Sequence, residues 1–192
     1  MPTHVVVALL PEMDATSVSV TVQALETANR VAAGVLGRPH PFRVTLGSVR
    51  GRPVRCGPGP FRLPTVRLAR LRPDIVVVPG TGAAMEDALR EVLASRHAAE
   101  LCAWLRRHAR RTVAASCTGV FLVAGAGLLD GVAATTTWWL SGELASLYPR
   151  VRVERDAMVV EAGRRITAGA SLAQLDLMLR LIAREASPAL AG

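Results

Sequence analysis

The sequence predicts an α/β fold, a three-layer sandwich in which helices cover both faces of an open, mostly parallel sheet. Short apolar runs rich in β-branched residues, such as HVVVALL and DIVVV, alternate with helical patterns along the chain. That alternation is typical of parallel strands joined by crossover helices. With 51% hydrophobic residues, a chain of 192 residues can bury one substantial core. We therefore expect a single domain.

Strand signals precede helical or turn signals through the first two thirds of the chain. The predicted strands lie in residues 4–10, 42–49, 74–83 (a strand ending in a turn) and 112–116. Residues 17–34 favour a helix that stops at a glycine, although their first part also alternates like a strand. Residues 55–68 are rich in proline and glycine and predict a loop or short edge structure. One or two helices are expected in residues 84–111, and another in residues 118–129.

The last third predicts a hairpin and a terminal helix. Residues 134–149 favour a strand or turn followed by a short helix, and residues 151–170 a hairpin that turns at Ala162 and Gly163. Apolar spacing over residues 171–186 is typical of an amphipathic helix. We assign residues 1–186 to the domain and residues 187–192 to a linker or frayed tail.

Composition excludes several classes of protein. No apolar run reaches the roughly 18 residues of a membrane span, and the N-terminus lacks the features of a signal peptide. We therefore expect a cytoplasmic protein with no membrane partner. The three cysteines stand at wide spacing without a C-x-x-C pair, which predicts neither a disulfide framework nor a metal site. We expect no metal and no cofactor.

The formal net charge is +8, and arginine supplies all of the positive charge. Ten of the 23 arginines fall into three groups: Arg50, Arg52 and Arg55; Arg67, Arg70 and Arg72; and Arg106, Arg107, Arg110 and Arg111. A basic excess favours anions or nucleic acid as partners. Because the groups are scattered along the chain, we interpret them as separate solvated faces.

Cys117 lies at the joint between the strand TVAAS and the helix that follows. A tight strand-to-helix turn lifts a side chain out of the sheet, and the free N–H groups of the helix lower a thiol pKa and can hold an oxyanion. Small neighbours such as Ser116 and Gly119 allow the turn. The alternative is a buried cysteine that acts as a small hydrophobic residue.

The segment SCTGVFLVAGAGLLDGVAATTTW resembles the nucleophile-elbow region of the ThiJ/PfpI family, within the class I glutamine amidotransferase-like fold. It is most similar to the branch found as the N-terminal domain of AraC-type transcriptional regulators and in isonitrile hydratases. The segments ALETAN, DIVVVPGTG, AGLLDG, YPRVRVERDAMVVEAGRRITAGA and LAQLDLMLRLI follow the family order and spacing. The resemblance implies a flavodoxin-like sandwich with Cys117 at the elbow.

By this resemblance, the N–H groups of Thr118 and of Thr81, in the turn that contains Gly80, form an oxyanion-hole-like pocket. Two departures affect the chemistry. Ser17 stands where enzymatic relatives carry an acidic residue, and Thr137 stands where members with a TTHW segment carry histidine. Hydroxyl groups do not titrate near neutral pH, so Cys117 lacks a proton-transfer partner.

We therefore predict a non-catalytic, small-molecule-sensing and dimerisation domain of an AraC-type regulator. The hydroxyls of Ser17, Thr118 and Thr137 would suit a small polar or amide-like ligand, together with the Trp138 ring unless that ring belongs to the core. A homodimer is expected from the relatives, and DNA contact through a C-terminal module that is absent from this chain.

Two alternatives remain open. One is a stand-alone cysteine-dependent hydratase, amidase or glyoxalase-like enzyme, which requires Asp14 or Glu12 to reach Cys117. The other is a redox-responsive protein in which only the oxidation of Cys117 matters.

Overall fold

The computed structural model describes residues 1–191. A seven-stranded central sheet has the order β11-β12-β8-β7-β1-β3-β6, and every neighbouring pair is parallel except β11 and β12. Its strands are β1 (Thr3–Leu9), β3 (Phe42–Ser48), β6 (Val66–Arg67), β7 (Ile75–Val78), β8 (Thr112–Ser116), β11 (Val159–Ala162) and β12 (Arg165–Ala168). Two small sheets consist of β2 (Glu12–Met13), β4 (Val54–Cys56) and β5 (Arg62–Leu63), and of β9 (Ala133–Ala134) and β10 (Arg152–Val153).

Six α-helices accompany these strands within residues 1–191: α1 (Ala15–Gly34), α2 (Glu86–Ala94), α3 (Arg96–Arg107), α4 (Gly119–Gly125), α5 (Ser141–Leu147) and α6 (Gln174–Glu185). Helices α1 and α6 pack together on one face of the sheet. Helices α3 and α4 pack on the other face. The predicted α/β sandwich with a mostly parallel sheet is confirmed.

The strand side chains alternate between the two faces, as the pleat requires. Val77 and Ala114 point toward α1 and α6, whereas their neighbours Val76 and Val113 join the cluster under α3 and α4. Because helices cover both faces of the sheet, the strand sequences are continuous apolar runs. Full burial of such a side chain stabilises the fold by about 1.5–3 kcal/mol.

Several ambiguous segments now have defined structures. The segment beginning at Ser17 is helical, inside α1, while the proline-rich residues 55–68 contribute the end of β4, the strands β5 and β6 and the start of a 3-10 turn. The hairpin turns at Gly163, whose φ is +60°. Leu190 and Ala191 pack partly buried against the α1/α6 face; the division at residue 186 stays a prediction, and residue 192 lies outside the described residues.

Within residues 1–191, no helix combines the length and the apolar character that a membrane crossing requires.

Candidate functional site: the strand-to-helix turn at Cys117

Cys117 adopts a left-handed backbone conformation with φ 51°, the only positive φ at a non-glycine position in residues 1–191. Such a conformation costs roughly 1–2 kcal/mol and persists only where the surroundings enforce it. Here the Cys117 N–H points at the carbonyl oxygens of Ala168 (3.0 Å) and Gly169 (2.7 Å), at the end of the neighbouring strand β12. The turn therefore holds the cysteine at the carboxyl edge of the sheet, where ligands of such sheets bind.

Gly119 allows α4 to begin directly against β7. A Cβ at this position would clash with the carbonyl oxygens of Val78 and Pro79. Only glycine therefore permits the close approach that completes the turn after Cys117.

The two N–H groups expected to form an oxyanion-hole-like pocket belong to Thr81 and Thr118, both buried. The Thr81 N–H donates to Thr118 Oγ1 at 2.9 Å, and the two threonine hydroxyls lie 3.0 Å apart. The Thr118 hydroxyl thus accepts the hydrogen bond of the Thr81 N–H, one of the two donors of the pocket. An incoming oxygen would have to displace this hydroxyl to be held by both N–H groups.

Ser17 and Gly80 lie beside the thiol. A Cβ on Gly80 would be 3.6 Å from both Cys117 Sγ and Ser17 Oγ, so the serine hydroxyl and the sulfur approach this glycine from two sides. Ser17 itself is fully buried. The structure therefore brings Ser17, Gly80, Thr81, Thr118 and Cys117 together.

The carboxylates near β2 are engaged elsewhere. Asp14 caps α1, and its Oδ2 accepts hydrogen bonds from the N–H (2.8 Å) and hydroxyl (2.6 Å) of Ser17. Glu12 is exposed and lies 3.6 Å from Arg55 Nη1. Within the described residues, no carboxylate accepts a hydrogen bond from Cys117 Sγ.

Burial raises the pKa of the Cys117 thiol, because only 8% of the residue is exposed and the charged form would lose its hydration. The Thr118 N–H and the hydroxyls of Ser171 and Thr118 offset part of this effect, and the Asp14 carboxylate adds to it. The thiol is therefore protonated at neutral pH, in contrast to an activated cysteine nucleophile.

The threonines after β9 reach the turn from another side. Thr136 Oγ1 donates to the carbonyl oxygen of Cys117 at 2.8 Å. Thr137 is fully buried, and its hydroxyl has no hydrogen-bond partner among residues 1–191. An unpaired buried hydroxyl is costly, so this group is suited to a partner from outside the chain.

Trp138 is 75% exposed, so the alternative that its ring belongs to the core is wrong. It packs edge-on against Trp139, with ring centroids 5.6 Å apart. Trp139 Nε1 donates to the carbonyl oxygen of Ala84 at 2.8 Å, which ties this surface to the loop after Thr81.

Sequence reasoning missed two polar residues that follow β12. The Ser171 hydroxyl interacts with the Cys117 thiol. Gln174 is fully buried; its Nε2 donates to Thr21 Oγ1 at 2.7 Å, while its Oε1 has no partner in the described part of the chain. The pairing of β12 with β8 brings Ser171 to the elbow, while Gln174 reaches Thr21 of α1. That pairing was not visible in the sequence.

A cleft of about 500 Å³ opens next to this cluster, and its wall includes Asp14, Thr81, Gly82 and Ala83. It offers space for a small molecule at the same edge of the sheet.

Comparison with known proteins places this arrangement in a family. Residues 3–184 match the model of the DJ-1/PfpI family. The chain belongs to the DJ-1/PfpI family. Cys117 and its turn lie within the residues that match this family.

The relatives connect this DJ-1/PfpI domain to regulators. The chain is 30% identical over 178 residues to the HTH-type transcriptional regulator GbdR of Pseudomonas aeruginosa. The aligned residues cover 92% of this chain and 45% of the regulator. The chain therefore spans about half the length of that relative. The structure of an AraC family transcriptional regulator from Pseudomonas putida has a TM-score of 0.80 at 24% identity, covering 99% and 96% of the two chains.

The fold is also shared with more distant members. Drosophila melanogaster DJ-1beta has a TM-score of 0.76 at 19% identity, with 100% of this chain and 94% of that chain covered. At these identities the structural likeness concerns the fold.

Proposed function

We propose that this DJ-1/PfpI domain senses a small molecule and mediates dimerisation as part of an AraC-type transcriptional regulator, with a cysteine site that binds without catalysis. The observation that carries the proposal is the absence, in residues 1–191, of an ionisable side chain hydrogen-bonded to Cys117 Sγ. Asp14, the carboxylate whose charge acts on the thiol, is committed to Ser17.

Chemistry at Cys117 would need a thiolate and a proton carrier. Burial keeps the thiol protonated by raising its pKa, and the neighbouring Ser17, Thr118 and Thr137 carry hydroxyls that do not exchange protons near neutral pH. General acid–base catalysis typically contributes 10²–10⁴ in rate. Without it, a bound molecule leaves this site unchanged.

The unpaired polar atoms indicate the ligand. Gln174 Oε1 is an acceptor, and the Thr137 hydroxyl can both donate and accept. An N–H group, as carried by a small amide or amine, would satisfy either atom. The indole of Trp138, exposed on the surface, could cover such a ligand from outside.

The wider assembly follows from the relatives. GbdR is named an HTH-type regulator, and this chain matches 45% of it, so we propose that DNA recognition belongs to a separate helix-turn-helix module. We further propose a cytoplasmic homodimer. Light scattering of this chain tests the dimer. A mass near 20 kDa, that of a single chain, would contradict it.

A second candidate is a cysteine-dependent enzyme of the hydratase, amidase or glyoxalase type. The strained φ of 51° at Cys117 and the Thr118 N–H beside the sulfur favour it, because both are features of a working elbow. Under this alternative, ligand binding would move the Thr118 hydroxyl and free the Thr81 N–H.

Thermal unfolding in the presence of small amides, amines and aldehydes distinguishes the two candidates. We expect at least one compound to raise the midpoint of the wild type and of Cys117→Ser alike, with no compound consumed. Consumption of an isonitrile or a glyoxal by the wild type, abolished in Cys117→Ala, would establish the enzyme instead.

A further inference from the structure

The basic residues that lie far apart in the sequence meet on one surface. One cleft, of about 900 Å³, is lined by Arg72, Arg106, Arg107, Arg110, Arg111 and Arg164. A second cleft, about 500 Å³, shares Arg107 and Trp104 with the first and adds Arg50, Arg52, Arg67 and Arg96. We call these ten arginines the arginine belt. All ten are exposed.

The belt carries far more arginine than paired carboxylate. Among residues 1–191, two carboxylates lie within 4 Å of it: Glu100 near Arg50 and Arg96, and Asp74 at 3.4 Å from Arg111. The other seven belt arginines have no carboxylate within 4 Å in that part of the chain. This surface therefore holds a local excess of positive charge.

The belt runs along α3, the helix that begins at Arg96 and ends at Arg107. Twelve residues of α-helix span about 18 Å. Duplex DNA carries one phosphate charge per about 1.7 Å of its axis, so roughly ten phosphate charges pass along that length. A row of guanidinium groups on this scale matches an extended polyanion better than a single small ion.

The backbone beneath one end of the belt is fixed. Arg165 is half-buried, and its guanidinium donates to the carbonyl oxygens of Arg111 (2.9 Å), Ala109 (2.5 Å) and Leu128 (3.1 Å). No carboxylate lies within 4 Å of it among residues 1–191. The loop that carries Arg110 and Arg111 is thus held in place, which reduces the entropic cost of ordering a phosphate site.

The Trp104 side chain, which lines both clefts, points inward. Trp104 is buried, and its Nε1 donates to the Leu68 carbonyl oxygen at 3.0 Å. Binding of single strands typically relies on exposed aromatic rings for base stacking. The belt therefore fits the backbone of a duplex rather than unpaired bases.

We propose that the arginine belt binds the phosphate backbone of duplex DNA without sequence preference. Several belt arginines (Arg72, Arg110, Arg111 and Arg164) directly precede strands β7, β8 and β12, at the opposite edge of the sheet from Cys117. Arg50, Arg52 and Arg67 lie at or just after the carboxyl ends of β3 and β6. None of the ten arginines lines the cleft beside Asp14 and Thr81, so this inference does not rest on the proposed function.

The test is fluorescence anisotropy of a labelled 20-base-pair duplex of mixed sequence, titrated with the full chain between 50 and 200 mM salt. Non-specific duplex binding has a Kd of about 10⁻⁴–10⁻⁶ M at physiological salt, and log K falls by about 0.9 per phosphate contact with log salt. We expect a slope of about −4, by that rule equivalent to four or five contacts. A slope flatter than −1 would overturn the proposal.

A matched pair of triple variants separates the belt from net charge. R106Q/R107Q/R110Q should flatten the slope by about 2.7, because each lost phosphate contact removes about 0.9 from it. The same variant should weaken binding at least tenfold at 100 mM salt. R30Q/R38Q/R155Q removes the same charge at exposed positions outside the belt, and should change the slope by less than about 1. Equal weakening by both triples would overturn the proposal.

Three further experiments complete the test. If R106Q/R107Q/R110Q does not unfold cooperatively, R52Q/R67Q replaces it, with a slope flatter by about 1.8. Polyglutamate of equal charge should displace the duplex poorly; displacement as effective as that by unlabelled duplex would point to an acidic protein and overturn the proposal. Cys117→Ser should retain wild-type DNA affinity, whatever the outcome at the small-molecule site.

Discussion

Asp14 accepts two hydrogen bonds from Ser17, one from the backbone N–H at 2.8 Å and one from the hydroxyl at 2.6 Å. The carboxylate thereby caps the first helix. Its partner, Ser17, stands at the position where enzymatic relatives are expected to carry an acid. Its charge still reaches Cys117, where it raises the thiol pKa. The loop thus supplies a helix cap in place of a catalytic acid.

Removal of this cap should cost stability. Asp14→Ala eliminates both acceptor bonds to Ser17, and loss of an N-cap costs about 1 kcal/mol, or a thermal midpoint lower by about 2–4 °C in a domain of this size. Asp14→Asn keeps an oxygen acceptor and should lose less than half as much. Thermal unfolding followed by circular dichroism measures both variants. Equal losses would show that charge, rather than hydrogen bonding, provides the effect.

The unpaired hydroxyl of Thr137 should lower the stability of the ligand-free protein. Thr137→Val removes a buried group that has no partner in residues 1–191, so we expect unchanged stability or a gain of up to about 1 kcal/mol. Thr136→Val is the matched control, because it deletes a bond to the Cys117 carbonyl oxygen and should cost about 1 kcal/mol. Urea denaturation measures both. A clear loss in Thr137→Val would mean that the hydroxyl has a partner.

The close approach of α4 to β7 should make Gly119 irreplaceable. Gly119→Ala forces a methyl group against two backbone carbonyls, and we expect a loss of more than about 2 kcal/mol. Gly142→Ala, in α5, meets no atom within 4 Å and should gain up to about 1 kcal/mol from helix propensity. Urea titration of the two variants gives opposite signs under this account. A tolerated alanine at 119 would mean that the turn relaxes easily.

The fold was predictable because apolar runs buried on both faces report parallel strands directly. β7 and β8 lie within the predicted runs, and β1 begins one residue before its run. The hairpin turn at Gly163 follows from its glycine. The ambiguous start of α1 is decided by Asp14, whose capping of Ser17 was not recognised in the sequence. Short strands such as β4 depend on pairing with a distant segment, which leaves little local signal.

The candidate site was predictable only where residues sit on recognisable turns. Gly80, Thr81 and Thr118 follow strands, so their convergence on Cys117 could be expected. Ser171 and Gln174 could not, because their approach depends on the position of β12 in the sheet. Likewise, the sequence separated the arginines that the packing of α3 gathers on one surface.

The titration of the Cys117 thiol tests the central claim most directly. The rate of alkylation by iodoacetamide, followed by mass spectrometry of the Cys117 peptide from pH 6 to 10, reports the thiolate fraction. Because burial raises the pKa of this thiol, the rate should still be rising at pH 9, beyond the ordinary thiol value of about 8.5. A rate that reaches its plateau below pH 7 would show an activated cysteine and contradict the account of a site that binds without catalysis.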